Sequence, residues 1–341
     1  MRATLALVAA LAAATPLGAQ ASSDLLVVLN KNVAQATILD AASGRVVATL
    51  PTGPFPHEVV VSPDGRRAVV ANYGAQEPGR SLTVLDLATR SVERTIDLGE
   101  YRRPHGMVWL PGGARVAVTA EQSQALLVVD VAAGTVARAI PTGARGTHMV
   151  ALHRDGQHAY TANIGSGTVS LVDLGAGRVV RSATTGRGPE AIDVSPDGRE
   201  VWTADRTLNY VRVLDARTLD SLATLPSGEF PNRLKFTPDG RWVLVSNATS
   251  STIGIYDARA RVLVATIPIP LDSTQASAEH LASPMGKSAV PLGILIAPDG
   301  RRAWVATNAM RRLAEIDIAG RRIARWVDAG ETPDGMGYVD R

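Results

Sequence analysis

The sequence predicts an all-β chain: a seven-bladed β-propeller of four-stranded blades, its ring closed by the C-terminal strand joining the N-terminal blade. Three observations predict it. A turn glycine recurs at Gly65, Gly113, Gly156, Gly198, Gly240 and Gly300, in steps of 48, 43, 42, 42 and 60 residues. A short alternating strand ends in Asp seven times, at Asp40, Asp86, Asp130, Asp173, Asp215, Asp257 and Asp317. Between these markers each unit holds four short runs rich in Val, Ile and Leu, separated by turn clusters, which is the composition and period of a propeller blade.

One unit shows how the elements arise. Strand A covers Glu58–Ser62, followed by the turn Pro63-Asp64-Gly65-Arg66; strand B covers Ala68–Asn72, strand C Leu82–Asp86 and strand D Val92–Leu98. In the turn, Pro presets φ for the first central position and Gly takes the positive φ that closes the hairpin. The Asp closing strand C accepts backbone N–H groups just ahead of it, as an Asx-turn. Recurring in every unit, it reads as scaffold. So do the residues closing strand B: Asn30, Asn72, Glu121, Asn163, Asp205, Asn247 and Asn308. Leu25–Leu50 supplies strands B, C and D without an A, and Pro333–Asp340 supplies an A without a successor. Together they complete one blade, and with six whole units the ring has seven and no open sheet edge.

Residues 1–21 stand outside this scheme. One positive charge, an apolar stretch over 5–14 and the ending Ala19-Gln20-Ala21 read as a cleaved secretory signal peptide. The mature domain is then 22–341, and a periplasmic or secreted location is expected. With 45% hydrophobic residues the chain has ample material for a core. The net charge of +3 is carried by dispersed Arg with no basic run interleaved with aromatics, which argues against nucleic acid as a partner. No later segment is apolar over 18 residues, so no membrane span is expected. A monomer is expected. Cys is absent, which excludes disulfides, thiolate metal sites and a cysteine nucleophile.

The segment Tyr160–Asp173, "YTANIGSGTVSLVD", resembles the signature of the YVTN family of seven-bladed propellers. Tyr160, Asn163, Thr168, Val169, Ser170 and Asp173 match, and Thr161 and Ala162 depart from the pattern. The Ser-Pro-Asp-Gly turns add to the resemblance, which covers essentially the whole mature chain. It implies the fold. For function it implies several things, because similar propellers include surface-layer-like proteins, lactonase relatives and the haem d1 domain of nitrite reductase.

Candidate site residues follow from ring geometry. Eight positions before each turn glycine stand His57, His105, His148, Glu190, Asn232 and Leu292, and the C-terminal strand adds Asp334. These strand heads ring one mouth of the central channel, where one residue per blade converges. Imidazole and carboxylate suit Zn, Cu or Fe. Side-chain alternation gives the opposite placement: the heads share the parity of Val59 and Val61, which pack between blades. Against that, the head is the first residue of its strand and varies from blade to blade. Arg103, Arg145 and Arg187 precede three of the heads and would form an electropositive arc. The long connection Leu271–Pro291 would fold over the same face, with Glu279, His280 and Met285 as potential ligands. In the channel, Asp193 is expected to pair with Lys235, with Glu58 and Arg233 lining the axis above them. His153 and His158 fall toward the opposite face, in solvent.

The first expectation for function is an exported, non-enzymatic binding propeller. Its upper face would take a small anionic ligand, a metal or cofactor such as Cu, Zn, Fe or Ca, or a protein partner. The resemblance implies two alternatives. One is a metal-dependent lactonase-like hydrolase using Glu190, Asn232 and Asp334 with His148 as base, an arc interrupted at Leu292. The other is a redox or haem d1-related cofactor-handling protein using His57, His105 and His148.

Overall fold

A computed structural model describes residues 24–341. The leader expected over residues 1–21 lies outside the described residues. The described residues form seven antiparallel four-stranded sheets. Blade 1 is Pro333–Val339, Leu25–Asn30, Gln35–Asp40 and Val46–Pro51, in that spatial order, so the C-terminal strand closes the ring as expected. Blade 2 is Pro56–Val61, Arg67–Asn72, Ser81–Asp86 and Ser91–Asp97. Its inner strand thus begins two residues earlier than the sequence suggests, at Pro56. The inner strands of blades 3 to 7 are Pro104–Trp109, Thr147–Leu152, Pro189–Val194, Pro231–Phe236 and Pro291–Ile296, and they pack against one another around the channel.

Hydrophobic packing follows the same arithmetic. Each pair of adjacent blades encloses its own apolar cluster, seven clusters for seven interfaces. Period-two alternation supplies both sides: in blade 2, Val69 and Ala71 face blade 3 while Ala68 and Val70 face blade 1. The strand-C aspartates do what their uniformity predicts. Asp86 Oδ1 accepts the N–H groups of Ala88 and Thr89 at 2.9 and 2.8 Å, and Asp215 does the same for Arg217 and Thr218. The strand-B closers Asn72 and Asp205 are scaffold too: Asn72 bonds Gly53, Ser81 and Thr83, and Asp205 accepts four backbone N–H groups.

A second repeated feature decides where the strand heads point. In every blade the pairing of strands A and B shifts register at the head. In blade 4, Thr147 pairs with Asn163 and Met149 with Ala162, so His148 is the inserted residue of a bulge. In blade 2, His57 and Glu58 together oppose Ala71, since Pro56 pairs with Asn72 and Val59 with Val70. A bulge breaks alternation and re-aims one side chain. Parity counted back from Val59 therefore fails at His57.

Candidate functional site at the channel mouth

The bulged heads meet one another. The rings of His57 and His105 lie 5.0 Å apart and those of His105 and His148 3.8 Å apart, centroid to centroid. His148 Nε2 lies 3.1 Å from Glu190 Oε1, and Asn232 Nδ2 donates to the same oxygen at 3.1 Å. Asp334 closes the arc at 3.2 Å from His57 Nδ1. Five of these six residues are more than nine-tenths buried, and His57 is half-buried. Close approach of neighbouring inner strands makes this possible. A Cβ on Gly106, the residue after His105, would lie 2.7 Å from Met149 Cα.

Arg233 spans the ring. Its guanidinium reaches from blade 6 to Glu58 of blade 2 at 2.9 and 2.5 Å, and also contacts Glu190 at 3.4 Å. Glu58 and Arg233, expected along the axis, are thus ion-paired across it. Asp193 and Lys235 do not pair: Asp193 accepts the N–H groups of Val194 and Phe236 instead. Beneath this bridge the channel is a mostly apolar cavity of about 460 Å³.

A second tier, absent from the sequence-based candidates, sits one residue past strand B. Lys31 reaches Asp334 at 3.2 Å, and Arg206 donates to Glu190 Oε2 at 2.7 Å. Glu121 meets His148 Nδ1 at 2.7 Å, and the Tyr73 hydroxyl donates to Glu121 at 3.2 Å. Glu121 is thus no strand closer: strand B of blade 3 ends at Ala120 and that of blade 7 at Thr307, one residue before Glu121 and Asn308. Aligned on those ends, the column reads Lys31, Tyr73, Glu121, Ile164, Arg206, Ala248 and Asn308. Its polar variety was the signal that could have revealed the tier.

These contacts set the charges. Burial opposes a charge on His148, but Glu190 and Glu121 raise its pKa to about 9, so it is an imidazolium at neutral pH. Burial would raise Glu190, yet the charges of His148, Arg233 and Arg206 hold it at about 2. Burial lowers His57, outweighing Asp334, and lowers His105 further with help from the neighbouring His148 charge, so both rings are neutral. Neutral His57 donates its Nδ1 proton to Asp334. Its Nε2 is then a bare lone pair, buried without a partner; His105 Nδ1 is likewise buried and unpartnered.

The remaining candidates divide. Arg103, half-buried, stacks on Tyr73 at 4.6 Å and donates to the Gly74 carbonyl at 2.7 Å. Exposed Arg145 joins Arg103, Tyr73 and Glu121 around an open depression of about 320 Å³. Arg187 is exposed, with its backbone N–H tied to Asp205. His280 does not join the cluster: it lies on a short helix, Ala278–Ala282, and its Nε2 bonds the Ser288 carbonyl at 2.8 Å within the same loop.

The three strand-head histidines do not offer a three-nitrogen metal site. Both nitrogens of His148 face carboxylates, leaving only His57 and His105 with free ones. An oxygen-ligated ion such as Ca fares no better, because Glu190 and Asp334 are already paired with Lys, Arg and His. The same contacts deprive His148 of a role as base.

Comparison with known proteins agrees with this architecture. The family described as "Lactonase, 7-bladed beta-propeller" matches residues 178–262, which span strand D of blade 4, all of blade 5 and the first three strands of blade 6. No curated protein matches the chain. Among solved structures, hydrazine synthase of Kuenenia stuttgartiensis superposes with a TM-score of 0.68 at 20% identity, covering 83% of this chain and 89% of that one. At that identity the likeness is one of fold.

Proposed function

We propose that this chain is an exported propeller of YVTN type that binds a small hydroxylated anion, such as a hydroxycarboxylate, at the channel mouth without turning it over. One observation carries the reading: His57 Nε2 is buried and unpartnered while Asp334 fixes the opposite edge of the ring. Buried polar atoms are almost always satisfied, and a free acceptor at a channel mouth suits a ligand that can donate a hydrogen bond. A ligand hydroxyl would donate to His57 Nε2. Its carboxylate would lie toward Arg103 and Arg145, the cations around the neighbouring depression. Export is supported by the leader-like N-terminus, and YVTN type by the Tyr160–Asp173 signature.

A second reading has its own support. The lactonase-family match contains Glu190, Arg206, Asn232 and Arg233, all of the mouth cluster. In a hydrolase the base would be His57, not His148, because an imidazole oriented by a carboxylate can take a proton from water.

Isothermal titration of tag-free protein with a panel of hydroxycarboxylates and their lactones tests both readings. Saturable hydroxycarboxylate binding that weakens at least about tenfold in His57→Gln, with lactones left intact, is the expected result. Lactone opening lost in His57→Gln would establish the hydrolase. No binding by the folded protein would overturn the first reading.

A further inference from the structure

On the face opposite the mouth, three of the A–B turns follow one plan. In blades 2, 5 and 6, the hydroxyls of Ser62, Ser195 and Thr237 donate to Oδ1 of Asp64, Asp197 and Asp239 at 2.5, 2.6 and 2.6 Å. The same Oδ1 accepts the N–H of Arg66, Arg199 or Arg241 at 3.1, 3.0 and 3.0 Å. The turn thus occupies one carboxylate oxygen and leaves Oδ2 outside its own hydrogen bonds.

Blade 4 keeps the plan and changes the side chains. Its turn reads His153-Arg154-Asp155-Gly156, with His158 two residues on. Asp155 Oδ1 still accepts backbone N–H groups, from Gln157 at 2.8 Å and His158 at 3.0 Å. Oδ2 now faces two imidazoles, His153 Nδ1 at 2.9 Å and His158 Nδ1 at 2.7 Å. Among the described residues this is the one group of three such donors lying within 4.8 Å of one another.

The proton positions make the arrangement informative. His153 Nε2 lies 3.0 Å from the Gly198 carbonyl, which can only accept, so Nε2 carries the proton. His153 Nδ1 itself accepts the Asp155 N–H at 3.3 Å. In the neutral ring two acceptors, Nδ1 and Asp155 Oδ2, therefore face each other at 2.9 Å. A cation between them, an added proton or a metal ion, relieves that repulsion.

We infer that His153, Asp155 and His158 form a binding site for a divalent transition-metal ion, zinc foremost, on the face opposite the channel mouth. Two imidazoles and a carboxylate are a ligand set for zinc, with solvent taking the fourth position. Ligand atoms around a tetrahedral zinc lie roughly 3.3 Å apart; the two carboxylate-to-imidazole spacings are 2.9 and 2.7 Å and the two imidazole nitrogens lie within 4.8 Å, so side-chain rotations complete the site. The Gly198 carbonyl, from the next blade's turn, acts as the outer partner that fixes the His153 tautomer.

Titration of tag-free full-length protein with zinc ions alone, followed by calorimetry and by cobalt(II) absorption, tests the site. One ion per chain is expected at about micromolar Kd or tighter. Affinity should fall at least about tenfold in Asp155→Asn and in His158→Gln. Asp155→Asn keeps the Oδ1 that the turn needs, so folding is preserved, and zinc should raise Tm of the parent more than that of this variant. Binding should persist in a His57→Gln/His105→Gln variant, which removes the free imidazoles of the mouth. Absence of saturable binding to the folded protein, or binding untouched by Asp155→Asn and His158→Gln, overturns the site and leaves protonated histidines as the explanation.

Discussion

His148→Gln should remove a specific alkaline loss of stability. The folded chain holds His148 at about 9, above the ordinary value of 6.5, through Glu190 and Glu121. A raised histidine stabilises most below pH 6.5, where both states are protonated, and that stability is lost as pH rises through 9. Between pH 7 and pH 10 the linkage amounts to roughly 2.5 kcal/mol, or about 3–5 °C in Tm for a domain this large. Melting curves by circular dichroism over that range would show the drop in the parent. Lys and Tyr titration contributes equally to both proteins, so the informative quantity is the difference, with His148→Gln starting lower and falling less. The acid side runs the other way. His57 and His105 are kept neutral by burial, so stability falls as pH drops below 6.5 and the unfolded chain takes up protons the folded chain resists. Equal alkaline losses in parent and His148→Gln would refute the assignment of His148 as an imidazolium clamped between two carboxylates.

Two further outcomes follow from the ring. Deleting the last ten residues removes Pro333–Val339 from blade 1, exposing the edge of Leu25–Asn30 and opening the clusters on both sides of that blade. Tm should fall by about 10 °C or more, or cooperative melting should vanish; an unchanged Tm would mean the ring closes some other way. Arg233→Met strands Glu58, whose only bonded cation among the described residues it is, and should cost about 3 kcal/mol. Adding Glu58→Gln should restore part of that loss in a double-mutant cycle, whereas simple additivity would show that the bridge across the channel is not energetically coupled.

Blade number, strand order and ring closure were legible in the sequence because each rests on repetition. The Pro-Asp-Gly turn and the strand-C Asp perform one local task in blade after blade, and local hydrogen bonds do not depend on the rest of the ring. The orientation of the strand heads was not legible. Alternation is a sound rule within a strand, but it carries no information across a bulge, and here each bulge falls on the head itself. His57 and Val59 share sequence parity yet belong to different environments: Val59 packs in the cluster between blades 1 and 2, while His57 stacks on His105.

The mouth cluster shows why site residues resist prediction in a repeat protein even when the repeats are plain. Its charges balance between blades rather than within one. Glu190 of blade 5 is neutralised by His148 of blade 4, Arg206 of its own blade and Arg233 of blade 6. Asp334 of blade 1 is neutralised by Lys31 of its own blade and paired with His57 of blade 2. No single repeat contains a recognisable motif, because each contributes one or two members of a shared network. The turn on the opposite face differs in kind. His153, Asp155 and His158 sit in one hairpin, their spacing is fixed by that blade alone, and what hid them was the uniform turn chemistry of their neighbours. A repeat that departs from the common turn by gaining two imidazoles beside the carboxylate that the turns of blades 2, 5, 6 and 7 also carry is the more informative departure, since the scaffold already explains where its Asp points.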